Sequence, residues 1–144
     1  MQIKECMCNR VCYCKTNSTI GEVARTMEHN HIGCMPVCDD SNKLVGIITD
    51  RDIVLRAIAN NKDNNTKVSE IMTTDAISCD SKTELVEASK TMRKEQIRRI
   101  PVTENGKLVG MLTLGDLAKN TQINNEFVGF TAECICLNSD KNAE

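Results

Sequence analysis

The segments LVGIITDRDIV (residues 44–54) and LVGMLTLGDLA (residues 108–118) share a Gly-x-x-Thr-x-x-Asp pattern. A threonine hydroxyl at the start of a helix can donate to a phosphate oxygen, and the free N–H groups there favour an anion. An aspartate carboxylate can accept hydrogen bonds from both ribose hydroxyls, and a glycine lets a flat base approach the strand. The pattern therefore has the chemistry to bind a nucleotide. The residues concerned are Gly46, Thr49, Asp52, Gly110, Thr113 and Asp116.

The same residues also have a purely structural interpretation. A threonine where a strand turns into a helix caps the first turn, and an acidic residue three positions later completes a capping box. A glycine inside a strand permits a bulge or close backbone packing. Because duplication copies a cap as faithfully as a binding site, the spacing alone leaves both interpretations open.

An internal repeat extends through most of the chain and predicts the fold. With an offset of 65 residues, Pro36-Val37 aligns with Pro101-Val102, and Thr26-Met27 aligns with Thr91-Met92. One residue fewer in the second turn then makes the offset 64, as a turn readily tolerates. Each copy is predicted to be β-α-β-β-α, so the fold class is α+β with two tandem repeats.

The predicted elements follow from apolar spacing and turn residues. Apolar residues at i, i+3 and i+7 predict a one-sided helix in each copy, with Ser18/Thr19 and Ser81/Thr83 as N-cap candidates. The helical positions are Ile20, Val23 and Met27, then Leu85, Ala88 and Met92. Strands are expected at 11–14, 34–39 and 43–49, and at 76–79, 99–104 and 107–113. Second helices are expected at 50–60 and 114–120.

The segments MPVCDDSNKLVGIITDRDIV and IRRIPVTENGKLVGMLTLGDLA resemble the two halves of a CBS-domain pair, or Bateman module. The chain is also similar to small stand-alone bacterial proteins of that family. The resemblance spans roughly residues 3–120. It implies a first motif at 3–60, a polar linker at 61–67 and a second motif at 68–120, packed as one pseudo-two-fold module. Residues 121–144 form a tail that matches neither motif.

The resemblance implies a regulatory module that binds adenosine-containing ligands in the cleft between its motifs and responds by a conformational or assembly change. It implies that Asp52 and Asp116 contact ribose and that Thr49 and Thr113 lie near phosphate. It also implies a homodimer and a possible target protein that the sequence does not identify. The full set of candidate ligand-binding residues is Gly46, Thr49, Asp52, Gly110, Thr113, Asp116, Arg51, Arg98, Arg99, Pro36, Pro101 and Ala76.

The two copies carry different charges beside the pattern. In the first copy Asp50 adds a negative charge and Arg51 a positive one, whereas Arg98-Arg99 precede the second pattern. Arginine is a bidentate partner of phosphate. AMP, ADP or ATP is therefore favoured over S-adenosylmethionine or NADH as a regulatory ligand, and no obligatory cofactor is expected. The competing interpretation of the arginines is a solvated strand edge.

Nine cysteines suggest a second hypothesis, a thiol-based metal or redox protein using Cys6, Cys8, Cys134 and Cys136. Extended backbone would separate residues 6 and 14 by about 27 Å, too far for a single site. The repeat aligns Cys6 with Ile71 and Cys12 with Ile77, so small hydrophobic side chains are the simpler interpretation and no metal is predicted. His29 and His31 are placed at a helix end. A structural dimerisation module is the third hypothesis.

Composition disfavours several other classes. A net charge of −2 and an aromatic content of 2% argue against binding nucleic acid or an anionic membrane. No signal peptide or transmembrane run is recognised, so a cytoplasmic protein with reduced thiols is expected. No Ser/His/Asp set, His-Glu-x-x-His or phosphate-binding loop motif is present, so no enzymatic activity is predicted. Whether the tail docks on the module or faces a partner is left open.

Overall fold

Each repeat folds as β-α-β-β-α in the computed structural model, which describes residues 1–120 and 122–137. The first repeat contains β1 (Cys14–Lys15), α1 (Ile20–Asn30), β2 (Cys34–Cys38), β3 (Leu44–Thr49) and α2 (Asp50–Asp52). The second contains β4 (Cys79–Asp80), α3 (Leu85–Glu95), β5 (Arg99–Glu104), β6 (Lys107–Thr113) and α4 (Leu114–Lys119), followed by α5 (Asn125–Cys136). The predicted α+β class is confirmed.

Two three-stranded sheets organise the repeats, in the orders β1-β2-β3 and β4-β5-β6. β1 pairs in parallel with β2, with Cys14 opposite Val37, and β2 pairs antiparallel with β3, with Val37 opposite Gly46. In the second sheet β4 pairs in parallel with β5, with Cys79 opposite Val102. The pattern residues therefore end the last strand of each sheet.

The first strand of each repeat is shorter than predicted and begins later. Residues 11–14 and 76–79 were expected to be strands, but only Cys14–Lys15 and Cys79–Asp80 pair with a neighbour. The chain leaves one compact unit for the other at 11/12 and again at 76/77. Residues 11–13 and 76–78 therefore make the connection and do not extend the sheets.

The N-terminal segment of each repeat packs in the compact unit of the other repeat. We call residues 1–8 and 66–73 the leading segments; residues 1–8 lie in the unit of the second repeat, and residues 66–73 in that of the first. The Ile20 N–H donates to the Thr66 carbonyl at 2.9 Å, and the equivalent Leu85 N–H donates to the Met1 carbonyl at 2.8 Å. The compact units therefore do not coincide with contiguous sequence repeats.

Each repeat has its own apolar core. The predicted helix positions are buried as expected: Ile20, Val23 and Met27 on α1, and Leu85, Ala88 and Met92 on α3. The leading segments contribute to these cores, with Ile71 in the first and Ile3 in the second. The exchange therefore buries apolar surface as well as satisfying backbone hydrogen bonds.

The helix caps differ between the repeats. The Thr19 hydroxyl accepts from the Glu22 N–H at 3.2 Å, as predicted. Helix α3 instead begins after Glu84 and has no side-chain cap, so the prediction of Ser81 or Thr83 was wrong. Ser81 is buried, and its hydroxyl donates to the Glu104 carboxylate at 2.6 Å. The first N–H of the helix, that of Leu85, donates to the Met1 carbonyl.

The helical stretch after β3 is irregular. Helix α2 continues as a π-helical turn over Ile53–Ala57 and a 3-10 turn over Ile58–Asn60. Ala57 is buried in the first core. Three apolar residues of the same stretch stay exposed: Val54 at 55%, Leu55 at 48% and Ile58 at 57%.

Helix α5 packs against α3, which resolves the open question about the part of the tail that the structure describes. Ile135 is buried in the second core, and Val128 packs against it. The Arg93 Nη1 atom donates to the buried Thr131 hydroxyl at 3.1 Å, and the guanidinium lies 5.2 Å from the Phe130 ring centroid. Residues 138–144 lie outside the described part of the chain.

Candidate functional site

The Thr49–Asp52 pair forms a complete capping box at the end of β3. The Asp52 N–H donates to Thr49 Oγ1 at 3.1 Å, and the Thr49 N–H donates to Asp52 Oδ2 at 3.0 Å. Thr49 is the last residue of β3 and has extended backbone, at φ −119° and ψ 161°, whereas the next residue, Asp50, is already helical. Both side chains are thereby fixed at the start of the helix.

The Thr113–Asp116 pair repeats this geometry. The Asp116 N–H donates to Thr113 Oγ1 at 3.0 Å, and the Thr113 N–H donates to Asp116 Oδ2 at 2.8 Å. The structural interpretation of the threonines and aspartates is therefore correct in both repeats. A capping carboxylate engages one oxygen toward the backbone, so a ligand role is compatible with it and stays a prediction.

The pattern glycines lie against the leading segments. A Cβ on Gly46 would lie 2.7 Å from the Thr73 carbonyl oxygen, and one on Gly110 would lie 2.6 Å from Met7 Sδ and 3.0 Å from the Cys8 carbonyl oxygen. Close backbone packing therefore explains why each strand has a glycine at this point. Contact between these glycines and a base stays a prediction.

The two aspartates differ in what surrounds the second carboxylate oxygen. Asp52 Oδ1 lies 3.8 Å from Arg56 Nε, and Arg56 also donates to the Ile71 carbonyl at 3.2 Å. Asn120 takes the position equivalent to Arg56 in the second repeat. Within residues 1–120 and 122–137, Asp116 Oδ1 accepts no hydrogen bond, and Asp116 forms no ion pair.

The backbone N–H groups of the first helical turn have different acceptors in the two repeats. In the first repeat the Asp50 N–H donates to the Gly33 carbonyl at 3.0 Å, and the Arg51 N–H donates to Asp50 Oδ1 at 2.8 Å. In the second repeat the Leu114 N–H donates to the Arg98 carbonyl at 2.8 Å. The Gly115 N–H, equivalent to that of Arg51, has no acceptor in the described part of the chain.

The candidate arginines lie at the strand and helix ends beside these turns. Arg98 is exposed, Arg99 is half-buried at the start of β5, and Arg51 is exposed on α2. None of the three forms an ion pair with any residue that the structure describes. Their charges are therefore free to meet a ligand anion.

The remaining candidates take less exposed positions. Pro36 and Pro101 are buried within β2 and β5, and the Pro36 carbonyl accepts a weak hydrogen bond from Cys14 Sγ at 3.7 Å. Ala76 is half-buried in the connection before β4. These three side chains are apolar and offer no polar group to a ligand.

Burial disfavours the thiolate form of four cysteines. Burial, with the nearby Cys38 as a smaller contribution, raises the pKa of Cys14 to about 12. Burial also raises the pKa values of Cys38 and Cys79. Burial, followed by the charges of Asp116 and Glu5, raises the pKa of Cys6. Because the thiolate is the form that binds metals and attacks disulfides, these four side chains have little such reactivity at neutral pH.

Neither a metal-binding cluster nor a membrane-spanning helix occurs among the residues that the structure describes. Within residues 1–120 and 122–137, no three His, Cys, Asp or Glu side chains are grouped so as to hold a metal ion. Among the helices of the same residues, none has the length and apolar character needed to cross a bilayer.

Two contacts near the pattern were not predicted from the sequence. The Asp52–Arg56 spacing of four residues could have revealed the ion pair, because residues four apart share a helix face. The approach of Asp50 Oδ2 to within 2.8 Å of a Cβ position on Gly33 had no such signal. That approach depends on how β2 and α2 are placed in three dimensions.

Two β-α-β-β-α repeats, each ending its last strand in a Gly-x-x-Thr-x-x-Asp capping box, define a tandem-repeat module of the Bateman class. The CBS domain model matches residues 3–58 and 68–122. The chain belongs to the CBS domain family, and CBS pairs are regulatory modules.

Known proteins of similar length and structure support this assignment. The chain is 41% identical over 127 residues to the CBS domain-containing protein YhcV of Bacillus subtilis, covering 88% of this chain and 89% of YhcV. The crystal structure of Hypoxic Response Protein I with two coordinated zinc ions matches with a TM-score of 0.77 and 30% identity, covering 83% of this chain and 98% of that one. The CBS domain pair of protein MJ0100, in complex with 5′-methylthioadenosine and S-adenosyl-L-methionine, matches with a TM-score of 0.71 and 28% identity, covering 83% and 94%.

Proposed function

We propose that this protein is a regulatory module that binds adenosine-containing nucleotides through its two Gly-x-x-Thr-x-x-Asp segments. The observation that carries the proposal is Asp116, which is fixed by its capping bond to Thr113 while its Oδ1 atom remains free of hydrogen bonds in the described residues. A fixed carboxylate with a free oxygen is suited to accept from ribose hydroxyls. The MJ0100 pair, with its bound adenosine derivatives, supports the ligand class.

A nucleotide that bears phosphate is the ligand class favoured for the second repeat. Arg98 and Arg99 carry unpaired positive charge at the start of β5, and the Gly115 N–H is a free donor in the same unit. Guanidinium groups bind phosphate oxygens in a bidentate manner. We therefore favour AMP, ADP or ATP over S-adenosylmethionine or NADH as the ligand.

Titration calorimetry against AMP, ADP, ATP, S-adenosylmethionine and NADH tests the proposal. Saturable binding of at least one of them with loss of affinity in Asp116→Ala is the expected result. The proposal would be overturned if none of the five compounds gave a heat of binding and none raised the melting temperature.

The response to the ligand is proposed to be a change of conformation or assembly in a homodimer. The exposed apolar residues Val54, Leu55 and Ile58 support a surface that a second copy would cover, because a row of apolar side chains is unfavourable in water. Light scattering at tens of micromolar is expected to give twice the 16.0 kDa chain mass. A monomer at that concentration would contradict the dimer and leave nucleotide binding untouched.

A regulatory rather than catalytic role also accords with the chemistry of the thiols. All nine cysteines are free, which supports a reducing compartment such as the cytoplasm. Among the cysteines of the thiol-based alternative, Cys6 has a pKa raised by burial, which disfavours its use as a thiolate ligand or nucleophile.

A further inference from the structure

The two repeats carry charged residues of opposite sign beside the pattern, Asp50 in the first and Arg98 in the second. Gly33 and Arg98 are equivalent, since each offers its carbonyl to the first N–H of the following helix, that of Asp50 at 3.0 Å or Leu114 at 2.8 Å. In the first repeat the space above Gly33 is filled by the Asp50 carboxylate, whose Oδ2 atom lies 2.8 Å from a Cβ position on the glycine. In the second repeat an arginine side chain begins at this position.

Asp50 also closes the first repeat to an incoming anion. Its Oδ1 atom accepts from the Arg51 N–H at 2.8 Å, and Thr49 Oγ1 accepts from the Asp52 N–H at 3.1 Å. With the Asp50 N–H bonded to Gly33, the first three amides of this helical turn already have acceptors. A phosphate here would meet a fixed negative charge and no free backbone donor.

The positive charges of the first repeat do not cancel this effect at short range. The Arg51 side chain is exposed and forms no ion pair in the described residues. Arg56 is directed to Asp52, at 3.8 Å, and to the backbone carbonyls of Ile71 and Met72. The Asp50 carboxylate is therefore held in place by a backbone amide without a cation against it.

We propose that Asp50 and Arg98 are specificity-determining residues that give the two repeats opposite preferences for ligand charge. The second repeat selects an adenosine derivative with a 5′-phosphate, and the first selects one whose 5′-substituent carries no negative charge. The inference rests on the proposed function, because it assumes that both aspartates bind an adenosine moiety. It goes beyond that function in assigning different ligands to the two copies.

A residue-resolved NMR titration tests this inference on the full chain. At 16.0 kDa the protein suits 15N–1H spectra, and the amides of Arg51 and Gly115 report on the first and second repeat separately. The probes are AMP and 5′-methylthioadenosine, which differ in charge at the 5′ position. We expect AMP to bind the second repeat about 10-fold more tightly than the first, since one like charge at short range has an effect of this order.

Two substitutions identify the residues responsible. Asp50→Asn keeps an oxygen for the Arg51 N–H and removes the charge, so AMP affinity at the first repeat should rise about 10-fold. Arg98→Gln should lower AMP affinity at the second repeat by a similar factor. The affinity for 5′-methylthioadenosine should change in neither variant, which serves as the matched control in each.

The outcomes of this experiment distinguish failure of the charge assignment from failure of the proposed function. Equal AMP affinities at the two repeats, unchanged by Asp50→Asn, would overturn the charge assignment and leave the proposed function in place. Loss of affinity for both probes to the same degree in Arg98→Gln would also overturn it, because a general distortion has no charge preference. If neither probe shifts any amide at either repeat, the proposed function itself fails.

Discussion

Gly46 lies against Thr73 so closely that a Cβ on the glycine would be 2.7 Å from the threonine carbonyl oxygen. The Ile47 N–H donates to that same carbonyl at 2.9 Å, and the Thr73 N–H donates back to the Ile47 carbonyl at 2.9 Å. The glycine thus allows a leading segment to pair with β3. The equivalent pairing of Cys8 with Met111 explains Gly110.

Substituting these glycines should destabilise the fold. Gly46→Ala is expected to lower the free energy of unfolding by about 1–3 kcal/mol, because its nearest neighbour is backbone that moves with difficulty. Gly110→Ala should lower the free energy of unfolding by less, since the atom nearest to the added Cβ, at 2.6 Å, is at the flexible end of the Met7 side chain. Urea unfolding at neutral pH measures both variants.

Gly129 provides the matched control for this comparison. It lies in α5, and an added Cβ would meet no atom within 4 Å. Gly129→Ala should therefore stabilise the helix by roughly 0.5–1 kcal/mol. The close approach to Thr73 would be refuted if Gly46→Ala were as stable as the unsubstituted protein.

Asp116 is predicted to have two separable functions. Asp116→Ala removes the carboxylate that caps the Thr113 N–H, so the ligand-free protein should lose about 1 kcal/mol of stability. If the free oxygen also holds ribose, AMP affinity should fall by a further 1.5–3 kcal/mol, roughly 10- to 150-fold. Thermal melts with and without AMP separate the two effects.

Asp116→Asn serves as the control for the cap. The amide oxygen can still accept from the Thr113 N–H, so the melting temperature without ligand should hardly change. The loss of the carboxylate charge should weaken AMP binding, while the cap persists. An AMP-induced rise in melting temperature that is undiminished in both Asp116 variants would rule out the ribose role.

Arg93 is predicted to hold α5 on α3. Arg93→Ala removes the donor to Thr131 and the contacts with the rings of Phe127 and Phe130. We expect a loss of about 1–2 kcal/mol and faster amide hydrogen exchange in α5. Exchange in α1 should be unaffected.

Arg93→Lys tests the geometry of this contact. Lysine keeps the charge but lacks the planar group that lies over two rings, so exchange in α5 should be intermediate. Unaltered exchange in Arg93→Ala would show that apolar burial around Ile135 suffices to dock the helix.

The Cys14 thiol should make stability depend on alkaline pH. Burial raises its pKa from an ordinary value of about 9 to about 12 in the folded protein. The unfolded chain therefore loses this proton first, and the free energy of unfolding should fall between pH 9 and pH 12. The contribution is at most about 1.4 kcal/mol per pH unit.

Cys14→Ala measures that contribution directly. The stability gap between the unsubstituted protein and this variant should be constant from pH 7 to 8 and narrow above pH 9, in reducing buffer. Lysine and tyrosine titration affects both proteins alike and cancels in the difference. A gap that stays constant up to pH 11 would contradict the raised pKa.

The cysteines of the thiol-based alternative should be dispensable for ligand binding. Replacing Cys6, Cys8, Cys134 and Cys136 together with serine is expected to leave AMP affinity unchanged, because the proposed ligand contacts come from the pattern residues. Calorimetry and metal analysis of anaerobically purified protein measure the outcome. Loss of a stoichiometric metal together with AMP binding would favour the thiol-based alternative.

Most secondary structure was predictable because the pattern is local and occurs twice. The i, i+3, i+7 positions of Ile20, Val23 and Met27 identified α1, and the aligned residues identified α3. The Thr49 and Thr113 capping boxes were equally predictable, since each depends on two residues that lie three positions apart. The cap of α3 was not, because its acceptor is the Met1 carbonyl, 84 positions away along the chain.

The sequence by itself determined the repeat, the α+β class and the residues at the end of each last strand, because these depend on short-range spacing. Only the tertiary structure decided which leading segment fills which core and what lies against each glycine. It also decided that α5 docks on α3 and that Asp50 lies over Gly33. Each of these contacts joins residues distant in sequence, and their partners are selected by the apolar surface and backbone groups that folding brings together.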